Sequence, residues 1–295
     1  MKAASLSSWL GPLLALLGIA CVPVATAGPG CAPTGAAVVL PDALDETSGA
    51  AVSRRDSGII WTHNDGGSVL YALEPSGRVV SAHTLPMRLR DWEDMEIADC
   101  AGGGACLYFA DTGDNEERRP AGSIRIARVR EPEPAAPGPL EADVFPIRLP
   151  DGPRDIEALF VLPGERVHLV TKGRQHPLTV YSYPPPLRPD TVTLEEVQRL
   201  SSGPMSLLSQ VTGASASTDG SLVAIRTYQA LEFFYVVADT LARRANGIVN
   251  LRTLEEIQGE AVALGPDGLV VLTSEGGPLG GPASMRLLRC AVGGS

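Results

Sequence analysis

The chain has 295 residues, of which 32 are Gly and 25 are Pro, and only 5% are aromatic. Gly and Pro at that density interrupt the chain too often for long helices, while an apolar content of 44% excludes a disordered chain. A formal charge of −10 without any basic stripe excludes a nucleic-acid partner, because nothing is placed to neutralise phosphates.

Residues 1–27 read as a secretory signal. Lys2 supplies the positive end, Trp9 to Val24 is mostly apolar, and Ala25-Thr26-Ala27 has the small-x-small form of a cleavage site. The apolar run is too short to be a permanent span, so the mature chain, 28–295, is expected to lack a transmembrane segment. Cys21 follows Leu17-Gly18-Ile19-Ala20, a lipoprotein-like box displaced by one residue. The expected location is therefore secreted or periplasmic, with lipid anchoring through Cys21 as the alternative.

Cys31, Cys100, Cys106 and Cys290 remain after cleavage. An even count in an exported chain favours disulfides over metal binding. Cys100 and Cys106 enclose the short loop Ala-Gly-Gly-Gly-Ala, which leaves Cys31 with Cys290. That second bridge would tie together the two ends of the mature chain.

The middle of the chain repeats. Small or acidic residues lead into apolar runs at Ser48–Val52, Glu93–Ile97, Glu157–Val161, Thr212–Ala216 and Glu260–Leu264. Each is followed by a second run ending in polar residues: Gly58–Trp61, Cys106–Ala110, Val167–Val170, Leu222–Ile225 and Leu269–Leu272. Third runs lie at Ser68–Leu73, Ser123–Val129, Leu178–Tyr183, Glu232–Val237 and Met285–Cys290, and fourth runs such as Arg78–Leu85 and Val144–Leu149 complete most units. Four short antiparallel strands in radial repetition predict an all-β fold, a β-propeller of five blades, with six as the alternative count. The fifth unit is too short for a whole blade, so Ala37–Leu40 is expected to supply its outermost strand. The ring would then close with N- and C-terminal strands in one blade, sealed by Cys31–Cys290. Glu131–Pro139, EPEPAAPGP, reads as a Pro-rich surface insertion.

In such a ring the start of each innermost strand and the end of each second strand meet at one face. Ser48, Glu93, Glu157, Thr212 and Glu260 are thereby predicted around the central channel, with His63, Asn64, Asp65, Asp114, Asn115, Lys172, Arg226 and Glu275 around or above them. Calcium suits this oxygen-rich set: Glu93, Glu157 and Glu260 offer charge, and Asn64 and Asn115 offer amide oxygens. Lys172 and Arg226 point the other way, toward ion pairs with those glutamates or an anionic ligand above them. The ligand expected at the funnel is a small molecule or a protein, and the chain is expected to be a monomer. Asp111-Thr112-Gly113-Asp114-Asn115 reads equally as a calcium-type loop or a side-chain-capped turn, and Asp155 could reach the funnel rim. His63 beside Asp65 is the candidate acid–base pair, set against a plain strand end and hairpin turn. No nucleophile elbow, HExxH or P-loop occurs, and Trp61 and Trp92 read as packing between blades.

The segments WTHNDGG, DWEDMEIADC, CLYFADTGDNEERRP, DGPRDIEAL and GEAVALGPDG resemble a family of secreted bacterial propeller proteins, mostly uncharacterised, across nearly the whole mature chain. More distantly, the ring of acids and amides is similar to the calcium-dependent lactonase, phosphotriesterase and phytase-like propellers. That likeness implies calcium at the hub and hydrolysis of an ester, lactone or phosphoester. Ser48 and Thr212 depart from it, since metal propellers more often place acids or amides there. Two functions remain in view, a metal- or ligand-binding propeller without catalysis and a calcium-dependent hydrolase.

Overall fold

The computed structural model describes residues 30–277 and 281–292. The signal segment and Cys21 lie outside the described residues. Five antiparallel sheets surround one axis, and among the described residues there is no α-helix, only four single-turn 3₁₀ segments. The fold is a five-bladed β-propeller.

Blade 1 runs outward through Thr47–Val52, Ile60–Asn64, Gly67–Leu73 and Val79–Leu89. Blade 2 is Trp92–Asp99, Ala105–Asp111, Ile124–Arg130 and Ala142–Arg148, with Val192–Thr193 added in parallel at its outer edge. Blade 3 is Ile156–Leu162, Arg166–Thr171, Thr179–Ser182 and Glu195–Arg199, and blade 4 is Val211–Ala216, Leu222–Thr227, Ala230–Val237 and Thr240–Asn250. Blade 5 contributes Gln258–Leu264, Leu269–Glu275 and Ser284–Arg289. Its outer strand comes from the N-terminal side, Ala32–Pro33 and Val38–Val39, paired with Ser284–Arg289. Cys31–Cys290 covalently seals this seam, and Cys100–Cys106 closes the short loop of blade 2.

The innermost strands are buried almost end to end, which explains why they read as continuous small and apolar runs rather than alternating ones. Small residues let them crowd the axis. A Cβ on Gly213 would stand 2.9 Å from the Glu260 carbonyl oxygen of the next blade. Apolar clusters fill the space between consecutive blades, one per interface. Trp61, Trp92, Met95 and Phe109, for example, lie between blades 1 and 2.

The insertion beginning at Glu131 is not wholly a surface loop. Glu131 is buried and its Oε1 accepts hydrogen bonds from Ser53 Oγ at 2.6 Å and Trp61 Nε1 at 3.0 Å, which satisfies the buried indole. Buried Pro134 accepts a bond from Ser81 Oγ, and Leu140 N donates to Thr84 O at 2.9 Å. The segment therefore straps blade 2 onto the outer part of blade 1. Its Pro-rich backbone offers carbonyl acceptors but few N–H groups, and the carbonyls of Glu131, Pro134 and Gly138 are used, which suits such a strap.

Candidate metal centre

Every innermost strand carries a register shift at the same place, between Thr47 and Ala50, Trp92 and Asp94, Ile156 and Ala158, Val211 and Gly213, and Gly259 and Val262. A bulge re-aims the side chain it carries. The residues at these bulges include Ser48, Glu93, Glu157, Thr212 and Glu260, the five predicted around the channel. The sequence repeat is thus the repeat of a bulged strand.

The five do not share one task. Ser48 Oγ donates to the Glu93 carbonyl at 2.8 Å and Thr212 Oγ1 to the Glu260 carbonyl at 2.9 Å, so both hydroxyls staple one blade to the next. Glu93 and Glu157 instead come together with Asp155. One carboxylate oxygen from each lies within 4.8 Å of the others, and all three groups are buried. Lys172, immediately after the second strand of blade 3, places Nζ 2.7 Å from Glu157 Oε1 and 3.9 Å from Asp155 Oδ2. Asp155 Oδ1 accepts the Asp114 N–H at 2.9 Å, while Oδ2 has no hydrogen-bond partner.

Burial is the largest cause of the shifted acidities here. It raises Glu93 well above the usual carboxylate range, reinforced by Glu157 and Asp91, and raises Asp91 as well. Burial pushes Glu157 up to about 8, with Lys172 opposing and Asp155 adding to the rise. Burial lowers Lys172, but Glu157, Tyr228 and Asp155 more than offset it and raise it overall. One ammonium thus faces Glu93, Asp155 and Glu157, while Arg119 adds positive charge beside Asp91. Gly113 is required at this point: a Cβ there would overlap Glu93 Oε1 and the Asp91 carboxylate.

Glu260 lies to one side. Gln258 Nε2 donates to Glu260 Oε1 at 2.8 Å and to Glu275 Oε2 at 2.6 Å, tying these two acids together. Burial, then Glu275 and Glu157, raise Glu260; burial, then Asp65 and Glu46, push Glu275 up to about 7. Asp65 rises to about 6 through burial and its acidic neighbours Glu46 and Asp91.

The other predicted residues are placed elsewhere. His63 is fully buried, stacked on Trp92 at 4.3 Å with its Nε2 against Gly49, and burial lowers it to about 4. It therefore stays neutral between blades 1 and 2, away from Asp65 and from solvent. Arg226 is also fully buried. It donates to Glu256 Oε2 at 2.6 Å and to the carbonyls of Ala261 and Thr273, joining blades 4 and 5 instead of facing the funnel. Asp114 accepts from the N–H groups of Arg118 and Arg119 at 2.9 and 2.7 Å, which makes its loop a side-chain-capped turn. Asn115 is exposed, and Asn64 binds the Ala43 carbonyl at 2.9 Å with its Oδ1 unpartnered.

Sequence reasoning missed Asp94 and Glu96. Asp94 Oδ2 accepts the N–H groups of Leu159 and Ala214, both at 2.9 Å, and Glu96 Oε2 accepts that of Ala216 at 2.6 Å. These side chains reach from blade 2 to the inner strands of blades 3 and 4. Alternate acids inside a strand that should be apolar, Asp94 and Glu96 in DWEDMEI, were the available signal.

All donors in the Glu93–Asp155–Glu157 cluster are carboxylate oxygens, and two of them, Asp155 Oδ2 and the Lys172-paired Glu157 Oε1, are buried without a hydrogen bond. That chemistry fits a hard cation and not a soft thiolate- or imidazole-seeking metal.

No family model matches the chain, and no curated protein matches it in sequence. Among solved structures, the PQQ-bound aldose sugar dehydrogenase from Streptomyces coelicolor aligns with a TM-score of 0.52 at 10% identity, covering 89% of this chain and 99% of that one. A glucose dehydrogenase aligns at 0.48 and 12% identity, over 88% and 100% of the two chains. A gluconolactonase from Xanthomonas campestris aligns at 0.46 and 12% identity, over 88% and 96%. At these identities the likeness concerns the propeller architecture alone.

Proposed function

We propose that this chain is an exported propeller whose funnel binds a divalent cation, calcium, through Glu93, Asp155 and Glu157, with Glu260 flanking them. The observation that carries the reading is the approach of three buried carboxylates, from two neighbouring blades, to within 4.8 Å of one another. The cation would compete with the protons that burial favours on Glu93 and Glu157, so binding would release protons and strengthen with pH. Lys172 would swing away from Glu157, or remain beside the cation as a partner for an anionic ligand group.

The test is calorimetric titration of chelator-treated protein with calcium, alongside Glu157→Gln. One calcium per chain is expected, with a stabilisation of about 2.7 kcal/mol at a hundredfold excess over Kd. Glu157→Gln is expected to weaken binding strongly. Absence of binding and of any shift in Tm with calcium, magnesium or manganese would overturn the reading.

A second reading is a calcium-dependent hydrolase of esters, lactones or phosphoesters. It is favoured by Glu157, an acid poised near neutral pH against a lysine, which is the behaviour of a proton-transfer group. A screen of those three substrate classes with and without calcium separates it from binding alone.

A further inference from the structure

A small cavity of about 80 Å³ lies in blade 2, between the loop after its second strand and the connection from its fourth strand to blade 3. Buried Ile124 and Leu149 line it, together with Pro120 and Pro153. Its charged lining is two arginines, Arg119 and Arg148, and no carboxylate joins them.

Arg119 comes from the loop and is 7% exposed. Its Nη1 donates to the Gly113 carbonyl at 2.9 Å, and its Nη2 to Asp111 Oδ1 at 3.1 Å and to the Ser123 carbonyl at 2.5 Å. Its Nε is buried and has no hydrogen-bond partner. Asp111 does not cancel this charge, because it also pairs with Arg125 at 2.7 Å, so one carboxylate serves two guanidinium groups. Asp91 is the next acid that Arg119 influences, and burial raises it toward its neutral form.

Arg148 ends the fourth strand and is exposed. It donates through Nε to Thr193 Oγ1 at 2.6 Å and forms no salt bridge among the described residues. The backbone brings the two arginines to one place. Ile147 pairs with Ile124, and its carbonyl accepts the Gly122 N–H at 3.0 Å, so Arg148 stands beside Ser123, whose carbonyl holds Arg119.

A buried guanidinium N–H left unpaired is costly, and an anion is the partner that satisfies it while balancing charge. A cation would be repelled there and a neutral group would gain little. Guanidinium groups present their donors in a planar fork that matches phosphate oxygens. The volume admits one oxyanion group and excludes an organic body.

We propose that this cavity binds a phosphate group, one oxygen accepting from Arg119 Nε and others from the Arg148 guanidinium. A phosphate ester would leave its organic part in solvent. The site is separate from the Glu93–Asp155–Glu157 cluster, and its occupant needs no metal.

The test uses the mature chain in chelator and phosphate-free buffer at low ionic strength, titrated with inorganic phosphate, phenyl phosphate and acetate. Calorimetry is expected to show one phosphate per chain, bound about tenfold more tightly than acetate. Phenyl phosphate binding as tightly as phosphate would identify an ester as an acceptable source, and weaker binding would assign the site to free phosphate. Arg148→Gln alters an exposed side chain and is expected to weaken phosphate about tenfold without moving the phosphate-free Tm, while Arg148→Lys recovers part of the loss. The Arg119 Nε–H resonance is expected to shift on phosphate addition in the unsubstituted protein. No binding at millimolar phosphate, acetate as tight as phosphate, undiminished binding in Arg148→Gln, or an unmoved Arg119 Nε–H would each overturn the proposal.

Discussion

Asp94, on the innermost strand of blade 2, accepts the backbone N–H of Ala214 on blade 4 at 2.9 Å, across the channel and 120 residues along the chain. The same oxygen accepts the N–H of Leu159 on blade 3. One carboxyl group thus pins three of the five inner strands at the axis.

Replacing that group has a clear consequence. Asp94→Ala leaves three buried N–H groups, of Met95, Leu159 and Ala214, without their acceptor and is expected to cost about 3 kcal/mol or more, read as a fall in Tm. Asp94→Asn retains an acceptor oxygen of the same reach. Since burial already raises Asp94 far above the usual carboxylate range, the neutral amide is expected to cost far less than Ala. Equal losses for the two substitutions would mean that the axial hydrogen bonds do not hold the ring.

The pH dependence follows from the buried acids. Glu96 is pushed up to about 7, Glu157 to about 8 and Glu275 to about 7, each chiefly by burial. Each binds its proton more tightly folded than unfolded, so its contribution is full below the unfolded value and is lost as pH rises through the folded one. The buried histidines act oppositely. His63 and His168 are lowered to about 4, and their contribution disappears as pH falls from 6.5 toward 4. Above neutral pH only the acids still matter. Stability in chelator is therefore expected to fall from pH 7 to 8.5, by up to roughly 1.4 kcal/mol per pH unit for each titrating acid. Thermal melts across that range check it, and a flat or rising Tm would contradict it.

Lys172 competes with any cation for the Glu157 oxygen 2.7 Å away. Lys172→Met removes that competitor, keeps most of the side-chain volume, and is expected to tighten calcium binding about tenfold. In chelator the same variant should melt at lower temperature, because Asp155 and Glu157 lose the cation beside them. Calorimetry with and without calcium measures both effects, and weaker calcium binding would make Lys172 part of the binding set.

The two disulfides close loops of very different length, with sequence separations of 259 and 6. Removing Cys31–Cys290 by paired Ser substitution is expected to cost about 2–5 kcal/mol and to expose the edge of blade 5. The Cys100–Cys106 loop constrains few residues and should cost less. Equilibrium denaturation of the two double variants orders them.

Much of the architecture was legible in the chain itself. The recurrence of small or acidic starts, apolar runs and polar ends placed all five innermost strands, and the short fifth unit implied the shared closing blade. Both disulfide pairings followed from the cysteine positions. The physical reason is that strand burial, turn chemistry and covalent closure are local or nearly so, and each leaves a pattern in adjacent residues. The assignment of tasks at the channel was decided only by tertiary structure. Adjacent residues of one strand point to opposite faces unless a bulge intervenes, and the bulges depend on pairing with the second strand. They bring Glu93 to Asp155 and Glu157, while Arg226 pairs with Glu256 between blades and His63 stacks on Trp92. The large Gly and Pro content takes on a narrower meaning as well. Beyond excluding long helices, it supplies the close approaches at Gly113 and Gly213 and the strap from Glu131 that let five strands converge on one buried set of acids.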